Sequence, residues 1–152
     1  MKVLIVCHGN ICRSPMGEMM LKYKLKQKGY DWIVDSAAGS SEEVGNPIYP
    51  PAKATLKRHC IPFTEHYARK MTKADYDDYD EILVMDRENL WLLNRIVKDE
   101  KNKIRLLLSF TERGGEVADP WYTGDFEETY RDLDEGLDAF IEYAEKNYGI
   151  RI

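Results

Sequence analysis

The segment Val3-Leu4-Ile5-Val6-Cys7-His8-Gly9-Asn10-Ile11-Cys12-Arg13-Ser14-Pro15 passes from an unbroken apolar run, through a polar turn, to a proline suited to the start of a helix. A continuous apolar run of this kind is the pattern of a strand covered on both faces, as in a parallel sheet. Where such a strand turns into a helix, backbone N–H groups and the positive end of the helix dipole converge on one point. Cys7 stands at the base of that turn.

A helix N-terminus, inward N–H groups and the guanidinium of Arg13 each favour the thiolate of Cys7 over its thiol. The five residues between Cys7 and Arg13 are enough chain to wrap a tetrahedral anion, with the N–H groups of His8, Gly9, Asn10, Ile11 and Cys12 as donors. Gly9 and Asn10 are the residue types that tolerate the left-handed backbone of a tight cradle. Arg13 can close the ring with a bidentate grip. Ser14 is expected to cap the helix and offer its hydroxyl to the Cys7 sulfur, with Pro15 at the first helical position. Cys7 as a small buried residue at a strand end would leave the Arg, Ser and Gly pattern unexplained.

Outward from this stretch, a helix is predicted over 15–28, with Met16, Met19, Met20, Tyr23 and Leu25 on its inner side and Gly29 as its stop. A second strand spans 32–38, a Gly/Pro/Ser/Asn-rich loop 39–51 and a short helix 51–59. Thr72 looks like the cap of another short helix, and 81–85 reads as a third strand. Asp86 ends that strand and caps a helix carrying Leu90, Leu93, Ile96 and Val97, so its effect on the Cys7 turn is expected to be indirect. A fourth strand is predicted over 103–110, then a fifteen-residue loop of turn chemistry, long enough to be functional. Asp125 opens a last helix with Phe126, Tyr130, Leu133, Leu137, Phe140, Ile141, Ala144 and Tyr148 on one face.

Strands alternating with helices predict an α/β fold with a parallel sheet between helix layers, and ligands in such sheets bind beyond the carboxyl ends of the strands. At 152 residues the chain is expected to form a single domain over 1–152. Its net charge of −5, with no basic stripe, argues against a nucleic acid partner. No stretch approaches the length of a membrane span, and the first apolar run is too short for a signal peptide. Three cysteines at these spacings suggest neither a disulfide framework nor a zinc site, so a reducing, cytoplasmic setting is expected, with no metal and no cofactor.

Within the long loop, Asp119 is the candidate general acid, a carboxyl group on a mobile segment above the cradle. Asp119-Pro120 is also a turn dipeptide. Trp121 and Tyr122 behind it could wall a cleft against an aromatic ring, or pin the loop to the core.

The run CHGNICRSPMGE near the start, VDSAA at 34–38, RHCIP at 58–62, the segment around His66-Tyr67-Ala68-Arg69, ILVMD at 82–86 and Asp119-Pro120-Trp121-Tyr122 together resemble the low-molecular-weight protein tyrosine phosphatases. The resemblance covers nearly the whole chain. It implies a three-layer, flavodoxin-like fold, a four-stranded parallel sheet of order 2-1-3-4 with helices on both faces. It also implies metal-independent hydrolysis of phosphotyrosine and small aryl phosphates through a phosphocysteine on Cys7, with Arg13 holding the oxyanion and Asp119 as acid and then base. The partners implied are a phosphotyrosine-containing protein or small aryl phosphate, and inorganic phosphate or a similar oxyanion in the loop. Asn10, Ser14, Ser36 and His66 fall where the family has a buried hydrogen-bond network. Cys12 falls where a reversible disulfide with Cys7 is implied, the alternative being a cysteine buried against the core.

One departure is visible. Where many eukaryotic members carry an aromatic residue after strand 2, this chain reads Ser40-Ser41-Glu42-Glu43-Val44, an acidic edge that would repel acidic phosphopeptides or recruit basic ones; Tyr49 could partly restore the wall. Three rival families of function share parts of this pattern. A phosphoarginine phosphatase typically has Thr where this chain has the apolar Ile11. An arsenate reductase relay needs two further cysteines, and only Cys60 lies beyond the loop. A silent phosphate-binding module would be expected to lack the acid or the nucleophile.

Overall fold

The computed structural model describes residues 1–148. Its strands are β1 (Lys2–Cys7), β2 (Ile33–Ala38), β3 (Glu81–Val84) and β4 (Ile104–Leu106). They form one parallel sheet in the order β2-β1-β3-β4, as the resemblance implies. Its helices are α1 (Arg13–Lys28), α2 (Pro50–Arg58), α3 (Lys73–Asp78), α4 (Arg87–Asn94), α5 (Pro120–Thr123) and α6 (Phe126–Asn147).

The apolar run of β1 behaves as its pattern predicts, with Val3, Leu4, Ile5 and Val6 all fully buried. Successive side chains of a strand point to opposite faces, and here both faces are covered. Val3 and Ile5 join α1, α2 and α6 in a cluster with Met16, Met20, Leu56, Leu133 and Phe140. Leu4 and Val6 join Tyr76 of α3 and Leu93 of α4 on the other side. Each such side chain, fully buried, contributes about 1.5–3 kcal/mol. The sheet is thereby fixed between two helix layers, and β1 delivers Cys7 to its carboxyl edge.

Three boundaries differ from the sequence reading by more than one residue. Helix α1 starts at Arg13 rather than Pro15; the cap position falls on Cys12, with no side-chain cap, so Ser14 lies inside the first turn and its hydroxyl is left for other partners. The fourth strand stops at Leu106, and Leu107–Phe110 winds into a 3-10 turn. A strand would send Leu107 and Leu108 to opposite faces, but both pack on α6 at Gly136, where an added Cβ would lie 2.6 Å from Leu107 and 3.1 Å from Leu108. Finally, α4 ends at Asn94, and Ile96 and Val97 pack on the same cluster from beyond it. Thr72 caps α3 as predicted, in a reciprocal box with Asp75. No described helix is long and apolar enough to cross a membrane.

Candidate active site

The loop after β1 is shaped by where its carbonyls go. Gly39 N–H donates to the Cys7 carbonyl at 2.9 Å, Ser40 N–H to that of His8 at 3.1 Å and Tyr49 N–H to that of Ile11 at 2.9 Å. With the carbonyls bonded outward, N–H groups turn in: those of Asn10 and Ser14 donate to Cys7 Sγ at 3.3 and 3.4 Å. Asn10 has φ +62°, a left-handed conformation that Asn tolerates better than most residues. Its side-chain amide donates to Ser14 Oγ at 2.7 Å and Ser36 Oγ at 3.0 Å. Ser14 Oγ is 3.1 Å from Cys7 Sγ. While it accepts from Asn10, its one proton has two acceptors in reach, a Cys7 thiolate and the Ala37 carbonyl at 3.4 Å.

Arg13 is a nearly fully buried guanidinium. Its Nη1 donates to Asp86 Oδ2 at 2.6 Å and to the Val117 carbonyl at 2.9 Å, and its Nη2 to Asp119 Oδ2 at 3.3 Å. Burial alone would lower its pKa, but the charges of Cys7, Asp119 and Asp86 outweigh burial and raise it. Asp86, expected to act on the Cys7 turn only indirectly, contacts Arg13 itself. It caps α4, accepting from Asn89 N–H at 2.9 Å, but it also grips Arg13 directly, because β3 runs beside β1 and ends at the same edge of the sheet. Asp119 likewise has two roles: its Oδ1 accepts from Trp121 N–H at 3.0 Å, capping α5, while its other oxygen faces Arg13. The long loop is tied down beside it, Val117 N–H donating to the Met85 carbonyl at 2.9 Å. Cys7, Arg13 and Asp119 thus line one pocket with His8, Gly9, Ile11, Cys12, Trp121 and Tyr122.

A family model described as low molecular weight phosphotyrosine protein phosphatase matches residues 2–148. The human low molecular weight phosphotyrosine protein phosphatase is 42% identical over 150 residues, covering 93% of this chain and 94% of that one. The crystal structure of YfkJ from Bacillus subtilis superposes with a TM-score of 0.92 at 34% identity, covering 96% of this chain and 95% of that one. A Drosophila arginine phosphatase superposes with a TM-score of 0.87 at 31% identity, covering 97% and 99%. The chain belongs to the low-molecular-weight phosphotyrosine protein phosphatase family.

In this phosphatase the predicted network is assembled and extended. Asn10 Oδ1 accepts from Arg69 N–H at 3.2 Å and lies 2.8 Å from His66 Nε2. Ser36 Oγ donates to Glu18 Oε1 at 2.6 Å. Burial lowers the pKa of His66, against the opposing pull of Glu18. The buried Glu18, missed by the sequence reading, is held by Lys22 one helical turn on at 2.6 Å; that i, i+4 spacing was the available signal. Glu18, Asp35 and His66 offer ligand atoms within 4.8 Å of one another. Those groups are already engaged by Ser36, Asn10 and Arg69, which leaves them poorly disposed toward a metal ion.

The phosphatase's pocket wall is partly aromatic and partly acidic. Trp121 and Tyr122 are exposed; Tyr49 does not itself line the pocket but packs on Trp121 with ring centroids 4.9 Å apart. Glu42 and Glu43 complete the lining. The imidazole of His8, expected to matter only through its backbone, bridges two carboxylates, with Nε2 2.6 Å from Glu42 Oε2 and Nδ1 3.0 Å from Glu88 Oε1. Cys12 is a buried free thiol, pushed up to about 12 by burial and then by Cys7.

Proposed function

We propose that this chain hydrolyses phosphotyrosine and small aryl phosphate monoesters through Cys7. The observation that carries this is the convergence on Cys7 Sγ of two backbone N–H groups, with Arg13 and Asp119 in the same pocket. The thiolate attacks phosphorus, forming the S–P bond as the P–O bond to the phenol breaks. Asp119, as a carboxylic acid, gives its proton to the leaving oxygen. The loop N–H groups and Arg13 hold the equatorial oxygens, where charge is spread in the transition state. Water then attacks the phosphocysteine, its proton passing to Asp119, and the S–P bond breaks to return the thiolate and inorganic phosphate.

No step needs a metal or a cofactor. A thiolate nucleophile suits a reducing compartment, and the cytoplasm is the proposed location. One structural neighbour is named an arginine phosphatase, but the hydrocarbon side chain of Ile11 on the pocket lining favours an aryl ring over a guanidinium.

The test is release of phosphate from phosphotyrosine, phosphoserine and phosphoarginine, and turnover of arsenate with a thiol reductant, by wild type and Cys7→Ser in chelator. Cys7-dependent turnover of phosphotyrosine is expected. Preference for phosphoarginine would overturn the aryl reading, arsenate turnover would move the chain to redox chemistry, and silence on all four would leave a binding module.

A further inference from the structure

His8 has a carboxylate against each ring nitrogen, Glu42 from the segment after β2 and Glu88 from the first turn of α4. An ionised carboxylate only accepts hydrogen bonds, so both contacts are satisfied together when both ring nitrogens carry a proton. A neutral imidazole has one N–H and can serve one of the two. The segment carrying Glu42 is also pressed onto the loop, since an added Cβ on Gly9 would lie 3.1 Å from Glu43 Cγ.

Resting on the phosphatase reading above, we infer that the His8 side chain is a positioning residue for substrate binding. Its imidazolium holds Glu42 in the pocket lining and Glu88 on the opposite ring nitrogen, and cancels part of their charge, so that affinity for a dianionic ester depends on the protonation of His8. The charged groups facing it are Glu42 and Glu88; Cys7, Glu43, Asp119 and Arg13 share the pocket it lines. Deprotonation takes one positive charge from a rim that keeps all its carboxylates, and the field seen by an incoming dianion turns against it. Burial works against the imidazolium, but the two carboxylates prevail and raise the His8 pKa above the ordinary value. The sign follows: the latch is complete below the ordinary histidine range and is lost as pH rises through the raised value. An acidic rim that would otherwise oppose phosphate esters becomes tolerant of them at the acid end of the range.

Sulfate, a tetrahedral dianion that does not titrate here, is the probe. Its dissociation constant, measured by calorimetry from about pH 5.5 to about pH 9 without any turnover, is expected to rise by about threefold through the His8 transition, the effect of one charge several ångströms away in a wet site. His8→Gln should bind sulfate at the weaker level with this step absent. Glu42→Gln/Glu88→Gln should bind more tightly and move the step down toward the ordinary histidine range. A step that persists in His8→Gln, or that stays in place in the double variant, overturns the inference. Hydrolysis of an aryl phosphate by the same wild-type preparation tests the phosphatase reading separately, so either can fail alone. Unchanged thermal midpoints of the variants at pH 7 guard against misfolding; should His8→Gln not fold, the double variant decides.

Discussion

Arg13 Nη1 and Asp86 Oδ2, seventy-three residues apart in sequence, meet at 2.6 Å beneath the pocket. Asp86 also caps α4 through its other oxygen, so the two jobs can be separated by substitution. Asp86→Asn keeps a good capping side chain but removes the charge that aims the guanidinium. It is expected to lower kcat/KM for an aryl phosphate by about 10- to 100-fold, the scale on which a misplaced binding group acts. Asp86→Ala should show that loss together with about 1 kcal/mol of stability from the missing cap, read from the urea midpoint. Wild-type kinetics in Asp86→Asn would reduce Asp86 to a helix cap.

Asp119 also combines a cap with a proposed chemical role. Asp119→Asn retains the hydrogen-bond acceptor for Trp121 N–H and loses the transferable proton; Asp119→Ala loses both. Both are expected to slow phosphotyrosine hydrolysis by about 10²–10⁴, and an ester of a strongly acidic phenol far less, because that leaving group needs little protonation. Equal losses on the two substrates would end the general-acid assignment.

The parts legible in the sequence were those governed by neighbours along the chain. The run Val3–Val6 and the turn Cys7–Arg13 specify a buried strand ending at an anion cradle, and Thr72 with Asp75 specifies a capping box. What escaped depends on strand order and close approach. Nothing local in Asp86 reveals Arg13; the contact exists because β3 lies beside β1. The His8 bridge needs Glu42 and Glu88, which only the packed sheet brings to one imidazole. The early end of β4 was set by α6, whose Gly136 admits Leu107, and the sequence of 103–110 carries no sign of that partner.

Asn10 offers a stability test of the cradle itself. Asn10→Ala should cost about 1–2 kcal/mol for the left-handed backbone, with about 1–3 kcal/mol more for the buried partners left unpaired. Asn10→Gly should escape the first loss, since glycine takes φ +62° without steric cost, and instead suffer the second together with about 0.5–1 kcal/mol of chain entropy. Urea unfolding distinguishes them, and equal destabilisation would mean that the left-handed backbone costs alanine no more than chain entropy costs glycine.

His66 gives the fold a pH dependence opposite in sign to that of His8. Its pKa is lowered, chiefly by burial, so the folded protein holds it neutral where the unfolded chain has begun to take up a proton. Above the ordinary histidine value, about 6.5, both states are neutral and its contribution does not vary. As pH falls from there through the lowered value, the unfolded state binds more protons than the folded one and stability is lost. His66→Gln removes the titrating group whatever its fixed cost in packing. The stability difference between wild type and variant is therefore expected to be constant from about pH 7 upward and to shrink as pH drops through about 6. Urea midpoints at a series of pH values measure it. A difference that stays level across the whole range would mean that His66 titrates alike in the folded and unfolded chain, and that its place beside Asn10 and Glu18 leaves its proton unaffected.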